Sequence, residues 1–233
     1  MAAQSYVFSN DYCTINKKDS HTYSCIFKKI ESFTKQQDSY FLDSYISGKS
    51  AIDETTKQLT VTLAVGSIEP LVTILSKNLG YLAYNPCVHM AESLYRQFNK
   101  LQKSGYCYGT FNIRNIVVIN DVHYLYLSDV DVLDIDGATK TATVNYPLDG
   151  VKQFMSPEQR KETSLPYTIT SNSWLYGLAS MVSLCLTGNK NAYEKQDYES
   201  KVVLLEPIVQ LPLYYTLLRC FHEDPKKRTY LYI

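Results

Sequence analysis

The first 47 residues contain no glycine; the earliest is Gly48. A backbone that lies flat against phosphate oxygens uses glycine, because a Cβ holds the chain off and narrows φ. A glycine-built phosphate cradle is therefore excluded from that stretch. None of the six cysteines (13, 25, 87, 107, 185, 220) stands in C-x-x-C spacing. That pattern disfavours a zinc site or a disulfide framework and fits reduced thiols in a cytoplasmic protein. Charge of one sign is missing as well: 23 Lys and Arg balance 23 Asp and Glu, for a formal net charge of zero. This argues against a nucleic-acid or anionic-membrane surface. No apolar run approaches the roughly 18 residues of a membrane span, and MAAQSYVFSN has no basic-then-apolar leader.

What is present is a globular composition, with 45% hydrophobic and 20% charged residues over 233 positions. That length suits one sizeable domain or a small and a larger lobe. Tyrosine is abundant, at 21 residues.

The stretch Gly105–Asp131, GYCYGTFNIRNIVVINDVHYLYLSDVD, carries the chemistry. It reads as a loop, a strand over Ile116–Ile119, a turn at Asn120–Asp121 and a second strand over Tyr124–Leu127. The second strand runs into Asp129-Val130-Asp131. An amide (Asn115) ahead of one short strand and a carboxylate (Asp129) behind the next bring two oxygen ligands together, a pairing that suits a phosphate-bound hard cation. An ordinary surface hairpin accounts for the same residues.

Residues 1–30 read as a hairpin and a further strand ending at CIFK, with Lys28 last. A helix is expected over 34–47, closed by Gly48, then a strand over 58–65. A short helix starts at Pro70 and runs to about Leu79. A longer one starts at Pro86, with Val88, Ala91, Leu94, Tyr95, Phe98 and Leu101 at helical spacing. His89 on it reads as a plain helix residue. After Asp131, DIDGATKTATVNYPLDGVKQ reads as a polar, solvated loop. SNSWLYGLASMVSLCLTGN is apolar nearly all round, which places it as a central helix ended by Gly188.

Taken in order, these motifs resemble the protein kinases. Tyr108-Gly109-Thr110 falls on His-Arg-Asp of the catalytic loop, Phe111 on its Leu, Asn115 on the metal-binding Asn, and Asp129-Val130-Asp131 on D-F-G. CIFK resembles the V-A-I-K strand, with Lys28 as its lysine. Ser156-Pro157-Glu158 resembles A-P-E, and Thr139, Thr141 and Thr143 fall where a regulatory phosphate often lies. Trp174 and Gly177 match D-x-W-S-x-G, with Asn172 in place of the Asp that braces the catalytic loop. DPKKR matches the closing D-P-x-x-R turn, whose Arg228 is expected to pair with Glu158.

The departures are chemical. Thr110 replaces the carboxylate base, the glycine-rich loop is missing, and residues 34–47 hold no Glu to orient the lysine; Asp38 and Asp43 are the substitutes there.

The resemblance implies an α+β, two-lobed protein-kinase-like fold in one domain over 1–233. Its reduced β-rich N-lobe spans about 1–66 and its mainly helical C-lobe about 67–233. It further implies an inactive pseudokinase that acts as a scaffold or allosteric regulator, with Lys28, Asn115 and Asp129 as a vestigial nucleotide and metal site. No resident metal or cofactor is expected, and ATP–Mg²⁺ binding is weak at most. The alternative is a non-standard nucleotide-dependent transferase. A protein partner is expected, a kinase or a kinase substrate, met by tyrosines outside the core: Tyr6, Tyr12, Tyr23, Tyr40, Tyr45, Tyr193, Tyr198, Tyr230 and Tyr232. Compact, degenerate chains of this type fit a viral protein.

Overall fold

Alternating apolar residues at the start of the chain build an antiparallel sheet. In the computed structural model, which describes residues 6–40, 42, 44–48, 50–188 and 197–231, five strands stand in the order β1-β2-β3-β5-β4. They are β1 (Tyr6–Ser9), β2 (Cys13–Lys17), β3 (Thr22–Phe27), β4 (Ala51–Asp53) and β5 (Gln58–Ala64). The buried face of β5 carries Leu59, Val61 and Leu63, the period-2 pattern of a half-buried strand. Asp53 accepts from the Thr55 and Thr56 amides and so closes the β4–β5 turn.

Between β3 and β4 lies α1 (Ile30–Gln36), followed by a 3₁₀ turn over Gln37–Ser39. This corrects the expected helix over 34–47. The Ser39 hydroxyl donates to the Gln36 carbonyl at 2.6 Å, and the buried Tyr40 and Leu42 then anchor the chain beyond the helix. Gly48, at φ +82°, lies in the connection to β4 and not at a helix end.

The hairpin that the alternation predicts is formed by β8 (Ile116–Ile119) and β9 (His123–Tyr126), with β6 (Ile68–Pro70) on the outer side of β8. Asn120 and Asp121 lead the three-residue connection Asn120–Val122 at φ +50° and +62°, left-handed values that Asn and Asp tolerate. All four residues of β8 are buried, because this hairpin lies between two hydrophobic clusters. Val117, Ile119, Leu125 and Leu127 join Phe8, Ile15, Phe27 and Val61 on one side. Ile116, Val118, Tyr124 and Tyr126 join the helical cluster on the other.

That second cluster is organised by α3 (Tyr84–Lys103) and α5 (Ser173–Thr187). Ala91, Leu94, Phe98 and Leu101 of α3 are buried as their spacing predicts. Gln97 is buried among them. It accepts from the Tyr126 amide at 2.9 Å and donates to the Tyr126 carbonyl at 2.7 Å, completing the open edge of β9. Along α5 the side chains from Ser173 to Cys185 are all buried, and Gly188 closes the helix at φ +61°. Gly177 has a steric reason: a Cβ there would come within 2.5 Å of the Phe111 ring and 2.9 Å of the Phe154 carbonyl. The remaining helices are α2 (Leu71–Lys77), α4 (Pro157–Lys161), α6 (Tyr198–Leu204) and α7 (Pro212–Cys220).

The segment after Asp131 departs from the expected solvated loop. It forms β10 (Val132–Asp136) and β11 (Thr141–Val144), which join β12 (Tyr167–Thr170) and β7 (Tyr106–Tyr108) in a sheet of order β12-β11-β10-β7. Asp136 nucleates the turn by accepting from the Ala138 amide and the Thr139 hydroxyl, both at 2.9 Å. Ala142, Val144 and Ile169 bury one face, and Thr143 and Thr168 pair on the other. The chain is thus α+β with antiparallel sheets. Among the described residues no helix is long and apolar enough to cross a membrane.

Candidate functional site

The β8–β9 hairpin does bring Asn115 and Asp129 to one edge of the interface between the two clusters. Asn115 ends a 3₁₀ turn that Asn112 caps through the Arg114 amide. Its side-chain oxygen, however, is taken by Asn10 from the β1–β2 turn, whose Nδ2 donates to Asn115 Oδ1 at 3.0 Å and to the Leu127 carbonyl at 2.8 Å. Asn10 Oδ1 in turn accepts from the Tyr12 and Cys13 amides at 3.0 and 2.8 Å. The Lys28 ammonium donates to the Asn10 carbonyl. The turn that holds no glycine is therefore folded inward: the Asn10 side-chain amide engages Asn115 and the Asn10 backbone carbonyl engages Lys28.

Asp129 is held separately, by Lys29 and Ser32. Lys29 pairs with Asp129 Oδ2 at 2.6 Å and the Ser32 hydroxyl donates to the same oxygen at 3.1 Å. β3 ends on the buried Phe27 and the chain turns into α1 immediately after, which sends Lys28 toward the β1–β2 turn and Lys29 toward Asp129. Of the carboxylate, only the buried Oδ1 has no hydrogen-bond partner. Lys28, Asn115 and Asp129 thus lie in one region without converging on a common point. Among the described residues no group of three or more His, Cys, Asp or Glu is placed to hold a metal ion.

The inward residue of α1 is Gln36, which sequence reasoning missed. Asp38 is exposed, and Asp43 lies outside the described residues. Gln36 Oε1 accepts from the Tyr108 hydroxyl, and the Tyr40 hydroxyl is bonded to both Gln36 Oε1 and the Tyr12 hydroxyl, at 3.1 and 2.9 Å. Burial pushes the phenols of Tyr12, Tyr40 and Tyr108 well above the usual range, so all three serve as neutral hydrogen-bonding groups. No sequence signal marks Gln36: it bonds Tyr40 and Tyr108 and does not reach Lys28, whose ammonium goes to the Asn10 carbonyl. Tyr12, Tyr23 and Tyr40, expected outside the core, are buried. Tyr45 is half-buried. Tyr230 is also half-buried and stacks on Tyr95 at 4.0 Å. Tyr6 and Tyr198 are exposed; Tyr193 and Tyr232 lie outside the described residues.

Thr110, which the resemblance sets on the catalytic base, is only 2% exposed. Its hydroxyl donates to the carboxylate of Asp131. Asp131, itself 3% exposed, also accepts from the backbone amides of Asp149 and Gly150 at 3.0 and 3.1 Å. Its own carbonyl takes the Gly109 amide at 2.7 Å, and its backbone sits in the left-handed region at φ +58°. Burial raises the Asp131 carboxyl above the ordinary aspartate range, while Thr110 and the two amides pull the other way. Gly150 lies directly on Thr110: a Cβ there would come within 1.8 Å of Thr110 Oγ1. Asp131, which stands where the resemblance sets the glycine of D-F-G, thus fills a buried hydrogen-bonding role that its motif position does not announce.

Arg228, 2% exposed, grips Glu158 with two bonds, Nη1 to Oε1 at 2.6 Å and Nη2 to Oε2 at 2.7 Å. Ser173 donates to the same carboxylate at 2.8 Å. Burial opposes the Glu158 charge, but Arg228 and Ser173 outweigh it and hold the carboxyl below its ordinary value. Ser156 and Gln159 form a capping box ahead of Pro157, and the Gln159 amide reaches the Gly109 carbonyl. Trp174 donates to Gln102 at 3.1 Å, and Gln102 donates to Asn172 at 3.0 Å, so Asn172 bonds to α3 through Gln102. All six cysteines are free and buried.

No protein-family model matches this chain, and no curated protein matches it.

Proposed function

We propose that this chain is a pseudokinase: a two-lobed, protein-kinase-like domain, divided near residue 66, that transfers no phosphate and works by binding another protein. The observation that carries this reading is the closure of Thr110. A phosphotransferase needs a group that accepts the acceptor hydroxyl's proton within hydrogen-bond reach. Thr110 is un-ionised, buried, and donates its proton to Asp131. Asp131 is no substitute base, because Thr110, Asp149 and Gly150 already bond to it beneath the Asp149-Gly150 backbone.

The nucleotide side points the same way. Phosphates need free donors and a close backbone, whereas Asn10 takes up Asn115 and the Lys28 ammonium. Retention of the Glu158–Arg228 pair, the capping box and the packed Gly177 beside this loss of chemistry supports a role for the surface. The proposed partner is a kinase or kinase substrate in a reducing, cytoplasmic setting. Among the described residues the exposed tyrosines are Tyr6, Tyr81, Tyr146, Tyr198 and Tyr215, of a residue type enriched at interface hot spots.

The test is phosphotransfer by the purified full chain with Mg²⁺ and labelled ATP, to itself and to general acceptor proteins. No transfer is expected. Robust transfer that Asp129→Ala abolishes overturns the reading.

A further inference from the structure

Away from the Thr110 region, a recess of about 200 Å³ opens between α3, β9 and the segment ahead of β4. Ser93 and Arg96 enter it from α3, three residues apart and hence on one helix face. His123, the first residue of β9, and Ser44 and Tyr45 complete its polar lining over an apolar floor that includes Leu125. These positions are built rather than incidental. The Tyr45 amide bonds the Leu42 carbonyl at 2.8 Å, the Tyr45 carbonyl takes the Ala64 amide at 2.7 Å, and the Tyr45 ring meets His123 edge-on at 5.7 Å.

Among the described residues the lining is rich in donors and free of carboxylates. Arg96 offers a planar guanidinium, His123 an imidazole N–H, and Ser44, Ser93 and Tyr45 three hydroxyls. Among the described residues no Asp or Glu lines the recess and Arg96 makes no ion pair. An acceptor-only anion fits such a set; a cation or an ammonium does not. Size narrows the class further, because drug-sized ligands occupy pockets of roughly 300–1,000 Å³, more than this recess provides. A planar guanidinium can donate two parallel hydrogen bonds to two oxygens of one phosphate.

We propose that this recess is a phosphate-binding site, taking inorganic phosphate or the phosphate of a phosphorylated side chain. The site is independent of the pseudokinase reading, since none of its residues belongs to the Thr110–Asp131 region.

Isothermal titration of the full chain with inorganic phosphate, and separately with a phosphoserine peptide, tests this. Saturable one-to-one binding is expected. Arg96→Gln should weaken it about tenfold or more, the scale of a charge-assisted hydrogen bond. Lys103→Gln, at an exposed position on the same helix, should leave it unchanged. Arg96 is exposed, so equal melting temperatures in phosphate-free buffer are expected for all three proteins. Tighter binding of the peptide assigns the site to a phosphorylated partner, and equal binding assigns it to free phosphate; either supports the proposal. Absence of saturable binding at millimolar phosphate and peptide, or undiminished binding by Arg96→Gln, overturns it.

Discussion

Arg228 and Glu158 form a two-bond ion pair, and its energetics rest on burial. The guanidinium side chain is fully enclosed, whereas the carboxylate remains 26% exposed. Removing Glu158 strands a buried cation, and removing Arg228 leaves a half-buried anion with Ser173 alone. Loss of either partner of such a pair costs about 3–5 kcal/mol, so Arg228→Ala should lower the urea midpoint sharply or give insoluble protein. A wild-type midpoint would show that the pair adds nothing. The same carboxyl sets a pH response. Because its folded value lies below that of an unfolded glutamate, about 4.3, its contribution is complete above that pH and lost as pH falls through the folded value. Asp131 acts in the opposite sense. Its folded value is raised, so its contribution is complete below the unfolded aspartate value, about 3.9, and lost as pH rises through the folded one. Glu158→Gln should flatten the acid limb of stability below about pH 4.3, and Asp131→Asn should change the slope above about pH 3.9. Matching pH–stability curves for wild type and both variants refute these assignments.

At the scale of elements, the segment after Asp131 is a sheet rather than a loop. β11 is paired on both sides, by β10 and β12, so its amides have strand partners. Hydrogen exchange should show residues 141–144 protected to a degree approaching β5, because open loops exchange near the unprotected rate. Fast exchange there would mean the sheet does not persist in solution. The segment is also pinned at its far end, where Gly150 sits on Thr110. Gly150→Ala forces a Cβ into the Thr110 side chain, and overpacking of this kind costs about 1–3 kcal/mol. The variant should lose at least that much by denaturant titration; unchanged stability would show that Gly150 is not seated there.

At the scale of the whole molecule, one amide ties the two clusters together. Asn10 bonds Asn115, the Leu127 carbonyl and its own turn, while Lys29 and Ser32 reach Asp129 and Gln36 reaches Tyr108. With those groups engaged internally, Mg–ATP should not stabilise the fold. A ligand at 100 times its dissociation constant adds about 2.7 kcal/mol, so a clear melting shift at micromolar Mg–ATP contradicts the closed arrangement. Asn10→Ala should destabilise by roughly 1–3 kcal/mol, the scale of stranding a buried hydrogen-bonding group. A variant as stable as wild type would show that the Asn10 bonds do not hold the halves together.

Much of this was legible in the residues alone. Strands with period-2 alternation, the α3 stripe from Ala91 to Leu101 and the all-apolar α5 follow from patterns that local geometry imposes on any chain. The β8–β9 turn at Asn120–Asp121 and the stop at Gly188 follow from the φ > 0 those positions need. The polar partnerships do not follow, because they join positions far apart in sequence. Asn10 meets Asn115 across 105 residues and Gln36 meets Tyr108 across 72. Composition could not show that Tyr12 and Tyr40 lie inside, since a tyrosine suits a surface or a satisfied interior equally well. The choice of Lys29 over Lys28 for Asp129 depended on where β3 ends and α1 begins. The closure over Thr110 depended on a segment that pattern reading leaves as a loop and tertiary pairing turns into a sheet. Local periodicity determined the elements; long-range packing and hydrogen bonding decided which polar groups face one another.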